Sequence, residues 1–196
     1  VCFIWILFIL KKEKGGPQVE QVEAPVQPLS LLTWDGKALY EEIVRVTEDF
    51  NESYCIGKGG YGSVFKGQLT SGVLVAVKRL YSILDSIPTY PKEFLNEVKA
   101  LLEIRHWNIV KFYGFYSHPQ HSLLVYEYLE KGSLSKILKD EEEAKILDWN
   151  KRINIIGGIS HALAYMHHDY SLVIIHRDIS INNILLDAEY GLVCQI

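Results

Sequence analysis

The sequence predicts an α+β fold in which a β-rich part with one helix comes before a helical part. The first observation is a hairpin pattern over residues 56–78, where two runs of β-branched residues flank the polar turn Thr70-Ser71-Gly72. The second is the helical spacing of apolar residues over Lys92–Ile104 and again over Trp149–His168. We expect one domain, or parts of one.

Composition excludes several classes of function. The 196 residues are 48% hydrophobic and 22% charged, as in ordinary globular proteins. Twenty basic and 24 acidic residues give a net charge of −4, which offers no field to attract nucleic acid. Cys2, Cys55 and Cys194 are few and far apart, so they indicate neither a disulfide framework nor a zinc site.

The N-terminal segment suggests a membrane anchor. Residues 1–10 are all apolar, and Lys11-Lys12-Glu13-Lys14 follows. Ten residues are too few to span a bilayer, so we interpret them as the inner half of a transmembrane helix with a cytoplasmic lysine flank. A buried N-terminal strand or helix is the alternative. Residues 11–33 have the composition of a linker, and Tyr40–Phe50 is expected to form a short helix that packs on the domain through Ile43, Val44 and Val46.

The glycine-rich hairpin suits a phosphate group. Gly57, Gly59 and Gly62 allow a tight backbone bend and a close approach of N–H groups to an anion. The motif alone is weak, and a glycine-rich hairpin with a surface lysine would share it. A dinucleotide-binding fold is disfavoured because a strand, not a helix, follows the third glycine. The second strand ends on Lys78, which is expected to project from it.

A helix is predicted after the hairpin, over Lys92–Ile104. Its apolar residues share one helical face, and Glu97 lies at the edge of that face. A carboxylate there can meet the Lys78 ammonium, although an ordinary surface glutamate is the alternative. Two strands are predicted next, over Ile109–Phe115 and Leu123–Leu129.

Three further elements complete the pattern. Gly132-Ser133-Leu134 is predicted to open a short helix, and Asp140–Glu143 to form a solvated turn. In the long helix Trp149–His168, the pair Gly157-Gly158 is expected to cost about 1 kcal/mol per glycine relative to alanine. Its buried stripe is predicted to consist of Ile155, Ile156, Ile159, Leu163 and Met166.

The stretch from Ile174 to Asp187 is the most specific in the chain. It contains His176-Arg177-Asp178, followed after four residues by Asn183. Together with the glycine hairpin and its lysine, this pattern resembles the catalytic loop of protein kinases. The phrases Tyr126-Glu127-Tyr128 and Leu147-Asp148-Trp149 are similar to plant receptor-like kinases and to their animal relatives, the Pelle and interleukin-receptor-associated kinases.

The resemblance implies a protein-kinase-like fold, with a complete small β-rich lobe and an incomplete helical large lobe. It implies ATP and Mg²⁺ as cofactors. Lys78 would pair the α- and β-phosphates and Glu97 would hold its ammonium, while Asp178 would accept the hydroxyl proton and Asn183 would bind the metal. Tyr126 would be the gatekeeper residue, His176 a packing residue and Arg177 a partner for a phosphorylated activation loop. The implied nucleotide-binding residues are Ile56, Gly57, Lys58, Gly59, Gly60, Tyr61, Gly62, Ser63, Val64, Ala76, Lys78, Glu127 and Leu129.

The sequence departs from the kinase pattern at two places. Ser180 stands where most kinases have a lysine, which is similar to plant receptor-like kinases. The metal-binding aspartate of Asp-Phe-Gly should follow Asn183 by roughly thirteen residues, and that place falls on Ile196, the last residue. We therefore expect a truncated kinase region that is inactive alone, keeps weak nucleotide binding, exposes an apolar patch and is unstable or aggregation-prone in isolation.

We accordingly expect four segments: a partial transmembrane helix (1–10), a juxtamembrane linker (11–33), a kinase small lobe with an N-terminal extension (34–129) and the first part of a large lobe (130–196). The expected function is that of a single-pass plasma-membrane receptor-like serine/threonine kinase, with its kinase region in the cytoplasm. Leucine-rich repeats outside the membrane, protein substrates, co-receptor kinases and no nucleic acid complete the expectation. The alternative is a truncated pseudokinase or decoy that acts as a binding module.

Overall fold

The structure is a computed structural model that describes residues 36–59, 62–81, 98, 101–117, 122–170, 173–176 and 178–195. It contains a five-stranded antiparallel sheet, followed by helices and a small three-stranded sheet. The α+β prediction is confirmed. The predicted membrane segment and linker lie outside the described residues. Among the residues that are described, no helix has the length and apolar character needed to cross a membrane.

The large sheet has the strand order β1-β2-β3-β5-β4. The predicted hairpin is confirmed, and its two strands β2 and β3 pair from Gly62↔Leu80 to Gln68↔Leu74. The five strands are β1 (Cys55–Gly59), β2 (Gly62–Gln68), β3 (Leu74–Leu80), β4 (Phe112–Ser117) and β5 (Ser122–Glu127).

The boundaries predicted for β4 and β5 were partly wrong. We expected β4 to begin at Ile109, but Ile109 instead forms an isolated parallel bridge with Cys194, near the end of the chain. The Val110 amide also donates to the Cys194 carbonyl (2.9 Å). The backbone of residues 109 and 110 therefore pairs with a distant segment of the chain, and β4 starts only at Phe112.

Strand alternation gives the large sheet two different faces. One face carries Phe65, Val77 and Val125, which lie in a buried cluster with Ile43 of helix α1 (Gly36–Val46). The packing of α1 against the domain is as predicted, but the helix begins earlier and ends earlier than Tyr40–Phe50. Residues 48–50 all have positive φ, a conformation that cannot continue a right-handed helix.

Three helices follow the large sheet: α2 (Leu134–Lys139), α3 (Glu141–Ile146) and α4 (Trp149–Ala164). The α3 helix corrects the prediction of a solvated turn at 140–143. The Asp140 carboxylate accepts hydrogen bonds from the amides of Glu142 and Glu143 (3.0 and 3.1 Å), so it caps the helix. Three glutamates in the first turn also stabilise this helix, because their negative charges lie near the positive end of the helix dipole.

The long helix is shorter and more irregular than predicted. After Ala164 the chain forms one π-helical turn, Tyr165–Asp169. The predicted stripe was wrong at Ile156, which is 62% exposed. The residues of α4 that are buried are Ile155, Gly158 and Ala162, and Met166 continues the same face into the π turn.

The exposed side of α4 is rich in apolar residues. Trp149 is 73% exposed, and Ile153 and Ile156 follow it at helical spacing on the same side. Ile179 and Ile181, which flank Ser180, are also about half exposed. These side chains give the helical part a more apolar surface than a solvent-facing helix usually has.

A second sheet closes the described part of the chain. It consists of β6 (Gly132–Ser133), β7 (Ile184–Leu186) and β8 (Leu192–Cys194), in that order and antiparallel. Strand β8 is joined to the large sheet by residues 108–110. The Cys194 amide donates to the Asn108 carbonyl (2.7 Å), and the Asn108 side chain donates to the Leu192 carbonyl (3.0 Å).

Candidate nucleotide and phosphoryl-transfer site

Lys78 lies on the face of the large sheet opposite α1. It pairs with Val64 of β2 and with Leu124 of β5. Paired residues of antiparallel strands share a face, so these three side chains and that of Ala76 point to the same side. The prediction that the hairpin carries Lys78 in its second strand is confirmed.

The glycine-rich segment joins β1 and β2. Gly57 pairs with Val64 and Gly59 pairs with Gly62, while Gly60 and Tyr61 lie outside the described residues. A Cβ at Gly62 would collide with the Arg79 carbonyl oxygen. This glycine is therefore required for the close contact between β2 and β3, a reason that the motif alone does not reveal.

Three other predicted residues of this segment lie at its surface. The side chain of Ile56 is half exposed, and the Ser63 hydroxyl lies 3.0 Å from the Tyr81 hydroxyl. Lys58 forms an ion pair with Glu52, whose hydrogen bond raises the pKa of the Lys58 ammonium. Neither of these contacts involves Lys78.

Tyr126 occupies a closed position on the Lys78 face. It pairs with Ala76 and Phe112, and its ring lies 5.0 Å from that of Phe112. Complete burial raises the pKa of its hydroxyl well above the usual range. A bulky, uncharged side chain therefore lies next to Ala76 on this face of the sheet.

The two predicted adenine contacts lie at the end of β5, which is Glu127, and just after it, at Leu129. The Glu127 amide donates to the Lys111 carbonyl (3.0 Å), and the Glu127 carboxylate accepts from the Lys111 amide (2.6 Å). The Leu129 carbonyl accepts a hydrogen bond from the Gly132 amide (3.2 Å). The Glu127 carbonyl and the Leu129 amide remain the predicted contacts.

Asp178 and Asn183 lie side by side in the catalytic-loop motif. The Asn183 amide nitrogen donates both to the Asp178 carbonyl (2.8 Å) and to its carboxylate (3.0 Å). The turn is tightened by a bond from the Asp178 amide to the His176 carbonyl (2.7 Å). The asparagine therefore fixes the orientation of the carboxylate.

A second link ties this motif to the residue after β8. The His176 Nε2 lies 2.6 Å from the Gln195 carbonyl oxygen, and the Gln195 amide donates to the Asn183 carbonyl (2.8 Å). His176 is buried, which agrees with its predicted packing role. Sequence reasoning missed Gln195 and Asn108, because their roles depend on backbone contacts with distant segments.

The Lys78 face and the catalytic-loop region border on one core. Leu80, Leu124 and Tyr126 from the Lys78 face belong to the same buried cluster as Ile174 and Cys194. Ile174 lies just before the His176 motif, and Cys194 lies just before Gln195. The two predicted halves of the site are therefore on the same side of the large sheet.

Two predicted residues, Glu97 and Arg177, lie outside the described residues. Val98, next to Glu97, is helical and buried, and residues 101–103 are also helical. The ion pair between Glu97 and Lys78 stays a prediction.

The family comparison agrees with this geometry. The protein kinase domain model matches residues 50–194. The chain belongs to the protein kinase family. Within this kinase, the match begins just before β1 and ends in β8, so it covers both sheets and the helices between them.

Two individual relatives show which group of protein kinases the chain resembles. The kinase is 47% identical over 193 residues to MDIS1-interacting receptor like kinase 2 of Arabidopsis thaliana, covering 97% of the chain and 18% of that protein. It is 52% identical over 165 residues to a probable leucine-rich repeat receptor-like protein kinase of the same plant, covering 83% and 15%. The resemblance to plant receptor-like kinases is therefore confirmed, although the chain spans less than a fifth of either relative.

A solved structure supports the fold. The pseudokinase domain of BIR2, described as an immune regulator of the RLK/Pelle family, aligns with a TM-score of 0.65 at 29% identity. The alignment covers 79% of this chain and 48% of that one. The predicted protein-kinase-like fold is confirmed.

The residue at the predicted metal position suits Mg²⁺. Asn183 carries a side-chain amide oxygen, one of the oxygen donors that this hard cation prefers. Among the described residues, no group of three or more His, Cys, Asp or Glu side chains is arranged so that it could hold a metal ion. This is compatible with an ion held by one or two protein oxygens together with substrate phosphates.

Proposed function

We propose that this chain is the nucleotide-binding part of a receptor-like protein serine/threonine kinase, which transfers the γ-phosphate of ATP to protein hydroxyls. The observation that supports the proposal is the shared core beneath the Lys78 face and the catalytic-loop region. A nucleotide between them would meet the lysine through its phosphates and the Asp178 carboxylate through its reacting end. Such positioning provides most of the rate enhancement in phosphoryl transfer.

The sheet residues bind and orient ATP in this proposal. Val64 and Ala76 cover the adenine, whose polar edge bonds to the Glu127 carbonyl and the Leu129 amide. The backbone from Ile56 to Ser63 covers the phosphates. Lys78 pairs the α- and β-phosphates, and Glu97 holds its ammonium in place.

The catalytic loop handles the proton. The Asp178 carboxylate accepts a hydrogen bond from the substrate hydroxyl and takes up its proton as the hydroxyl oxygen bonds to the γ-phosphorus, while the bond from that phosphorus to the bridging oxygen breaks and ADP leaves with the electron pair. Asn183 orients that carboxylate through its amide nitrogen and offers its amide oxygen to the metal. Bound Mg²⁺ supplies charge neutralisation on the phosphates.

A phosphorylation assay with Asp178→Asn tests the catalytic role. The assay follows transfer from γ-labelled Mg-ATP to a generic protein substrate over long incubations, because only a residual rate, orders of magnitude below that of a complete kinase domain, is expected from these 196 residues. The variant should reduce that rate by about 100-fold, the usual contribution of a positioned base. The matched control is Asp169→Asn, which removes an exposed carboxylate at the end of the π turn. Equal rates for Asp178→Asn and wild type would reject catalysis by this site.

A second candidate function is a pseudokinase or decoy that binds a partner kinase. It is favoured by the similarity to the BIR2 pseudokinase domain. In that case Asp178→Asn should leave partner binding unchanged, and wild type should show no transfer. The transcript beyond codon 196 separates the candidates further, since a reading frame that continues into Asp-Phe-Gly favours the enzyme.

The proposed setting is the plasma membrane. Residues 1–10 would form part of a single transmembrane helix, residues 11–33 the linker, 34–129 the small lobe and 130–196 the start of the large lobe, all but the first on the cytoplasmic side. Protein substrates and co-receptor kinases are the proposed partners. A fluorescent fusion of the protein encoded by the whole transcript that stays in the cytosol would contradict this placement.

A further inference from the structure

A lysine and a tyrosine meet across β3 at the outer part of the proposed adenine site. The ammonium of Lys66, in β2, lies 4.4 Å from the centre of the Tyr128 ring, which follows β5. Both residues are half-buried. The contact therefore joins β2 to the segment that follows β5, although β3 lies between β2 and β5 in the sheet.

Strand register explains why the two side chains reach each other. Lys66 pairs with Ala76, and Ala76 pairs with Tyr126. The ladder continues past β5, because the Tyr128 amide donates to the Leu74 carbonyl (3.4 Å). Alternation then places Lys66, Ala76 and Tyr128 on the Lys78 face. Ala76 is the immediate neighbour of Lys66 in this row, and its short side chain leaves room for the lysine to reach the Tyr128 ring.

We propose that Lys66 is a positioning residue of the nucleotide site, which acts by holding its ammonium on the Tyr128 ring. This inference rests on the proposed function, because it assigns Lys66 a role at the same site. The contact fixes the distance between β2 and the segment Glu127–Leu129. Two proposed adenine contacts adjoin it, since Ala76 pairs with Lys66 and Leu129 follows Tyr128 in the chain.

The expected effect on binding follows from preorganisation. Without the contact, β2 and the segment after β5 must be brought together when the nucleotide binds, and that ordering weakens the affinity. A half-buried cation–π contact corresponds to a change of about fivefold in an equilibrium constant. The decrease in affinity should be equal for ATP and for adenosine, because the contact lies at the adenine end of the site and not at the phosphates.

The test uses the full chain and three variants. Lys66→Met should raise the Kd for both ATP and adenosine by about fivefold, measured by isothermal titration calorimetry, and Lys66→Arg should restore both to within about twofold. The matched control is Lys111→Met, since the Lys111 ammonium lies 5.0 Å from the Tyr113 ring in the strand at the far edge of the sheet. That variant should leave both affinities unchanged.

Hydrogen exchange adds a readout that needs no nucleotide. Lys66→Met should speed amide exchange in the peptide that contains Tyr128, whereas Lys111→Met should not. Unchanged exchange and unchanged Kd in Lys66→Met would overturn the inference. Weaker binding of ATP without weaker binding of adenosine would also overturn the inference, because Lys66 would then act on the phosphates. If wild type binds neither ligand, the proposed function falls, and this inference falls with it.

Discussion

Two adjacent glycines in α4 differ sharply in their surroundings, and this difference gives a direct test of the packing. A Cβ at Gly157 would meet nothing within 4 Å. A Cβ at Gly158 would lie 2.8 Å from Leu192 Cδ2 and 3.0 Å from Asn108 Nδ2. Gly158 therefore faces the junction of α4, β8 and the segment before β4, and Gly157 faces open space.

The expected stabilities follow from two opposing terms. Replacing a helical glycine with alanine stabilises the helix by about 1 kcal/mol in either position. At Gly158 the added methyl group also overpacks the junction, which costs about 1–3 kcal/mol. Gly157→Ala should therefore be more stable than wild type, and Gly158→Ala should be equal to it or less stable. An overpacking cost of about 2 kcal/mol separates the two midpoints by about 4–8 °C.

Thermal unfolding followed by far-UV circular dichroism measures this separation. Both variants carry the same chemical change one residue apart, so they serve as controls for each other. Equal stabilisation of both would refute the packing of α4 against β8 and Asn108. A lower unfolding temperature in both variants would show instead that the helix backbone itself requires glycine at these positions.

Two further predictions concern α1 and the cysteines. Glu42, whose side chain is 15% exposed, accepts hydrogen bonds from the Thr70 hydroxyl and amide, which lower the pKa of its carboxyl. Because that pKa is lowered on folding, the contribution is complete above the unfolded value of 4.5 and is lost as the pH falls. Glu42→Gln should therefore cost about 1 kcal/mol at pH 7 and progressively less as the pH falls below 4.5, by urea titration; a pH-independent cost would contradict this. Burial raises the pKa of the Cys194 thiol to about 11, so at pH 8 iodoacetamide should alkylate the half-buried Cys55 well before Cys194 in the folded chain. Mass spectrometry of the tryptic peptides that shows equal rates would contradict the burial of β8.

The hairpin and its lysine could be predicted because their signals are local. Alternating β-branched residues, a polar turn and closely spaced glycines act within a few residues of one another. The same holds for the start of α4, where the Asp148 carboxylate accepts from the Lys151 amide (2.8 Å). Local patterns of this kind specify the same element of secondary structure, whichever distant residues pack against it.

The buried face of α4 was misjudged because of a glycine. Its buried stripe is centred on Gly158, which has no side chain and so adds nothing to an apolar pattern. Counting only large residues moved the predicted face toward Ile156, which is exposed. The close contact of Gly158 with Leu192 is the reason for the glycine, and that contact is set by residues far along the chain.

The remaining errors involve competition between local and distant partners. The charge run at 140–143 resembled a turn, yet Asp140 followed by glutamates is also a helix N-terminus. Ile109 fits a strand but pairs with Cys194. Within the site, the catalytic-loop residues could be found from their motif, whereas the link between His176 and Gln195 could not.

Labelling with an acyl-phosphate derivative of ATP tests the central claim most directly. The reagent acylates a lysine amine that lies beside the bound phosphates, and mass spectrometry locates the modified residue. The proposed site predicts labelling at Lys78 that excess Mg-ATP abolishes, with Lys111 labelled weakly and without competition. Labelling of Lys78 that ATP does not reduce, or equal labelling at both lysines, would contradict a nucleotide site on this face of the sheet.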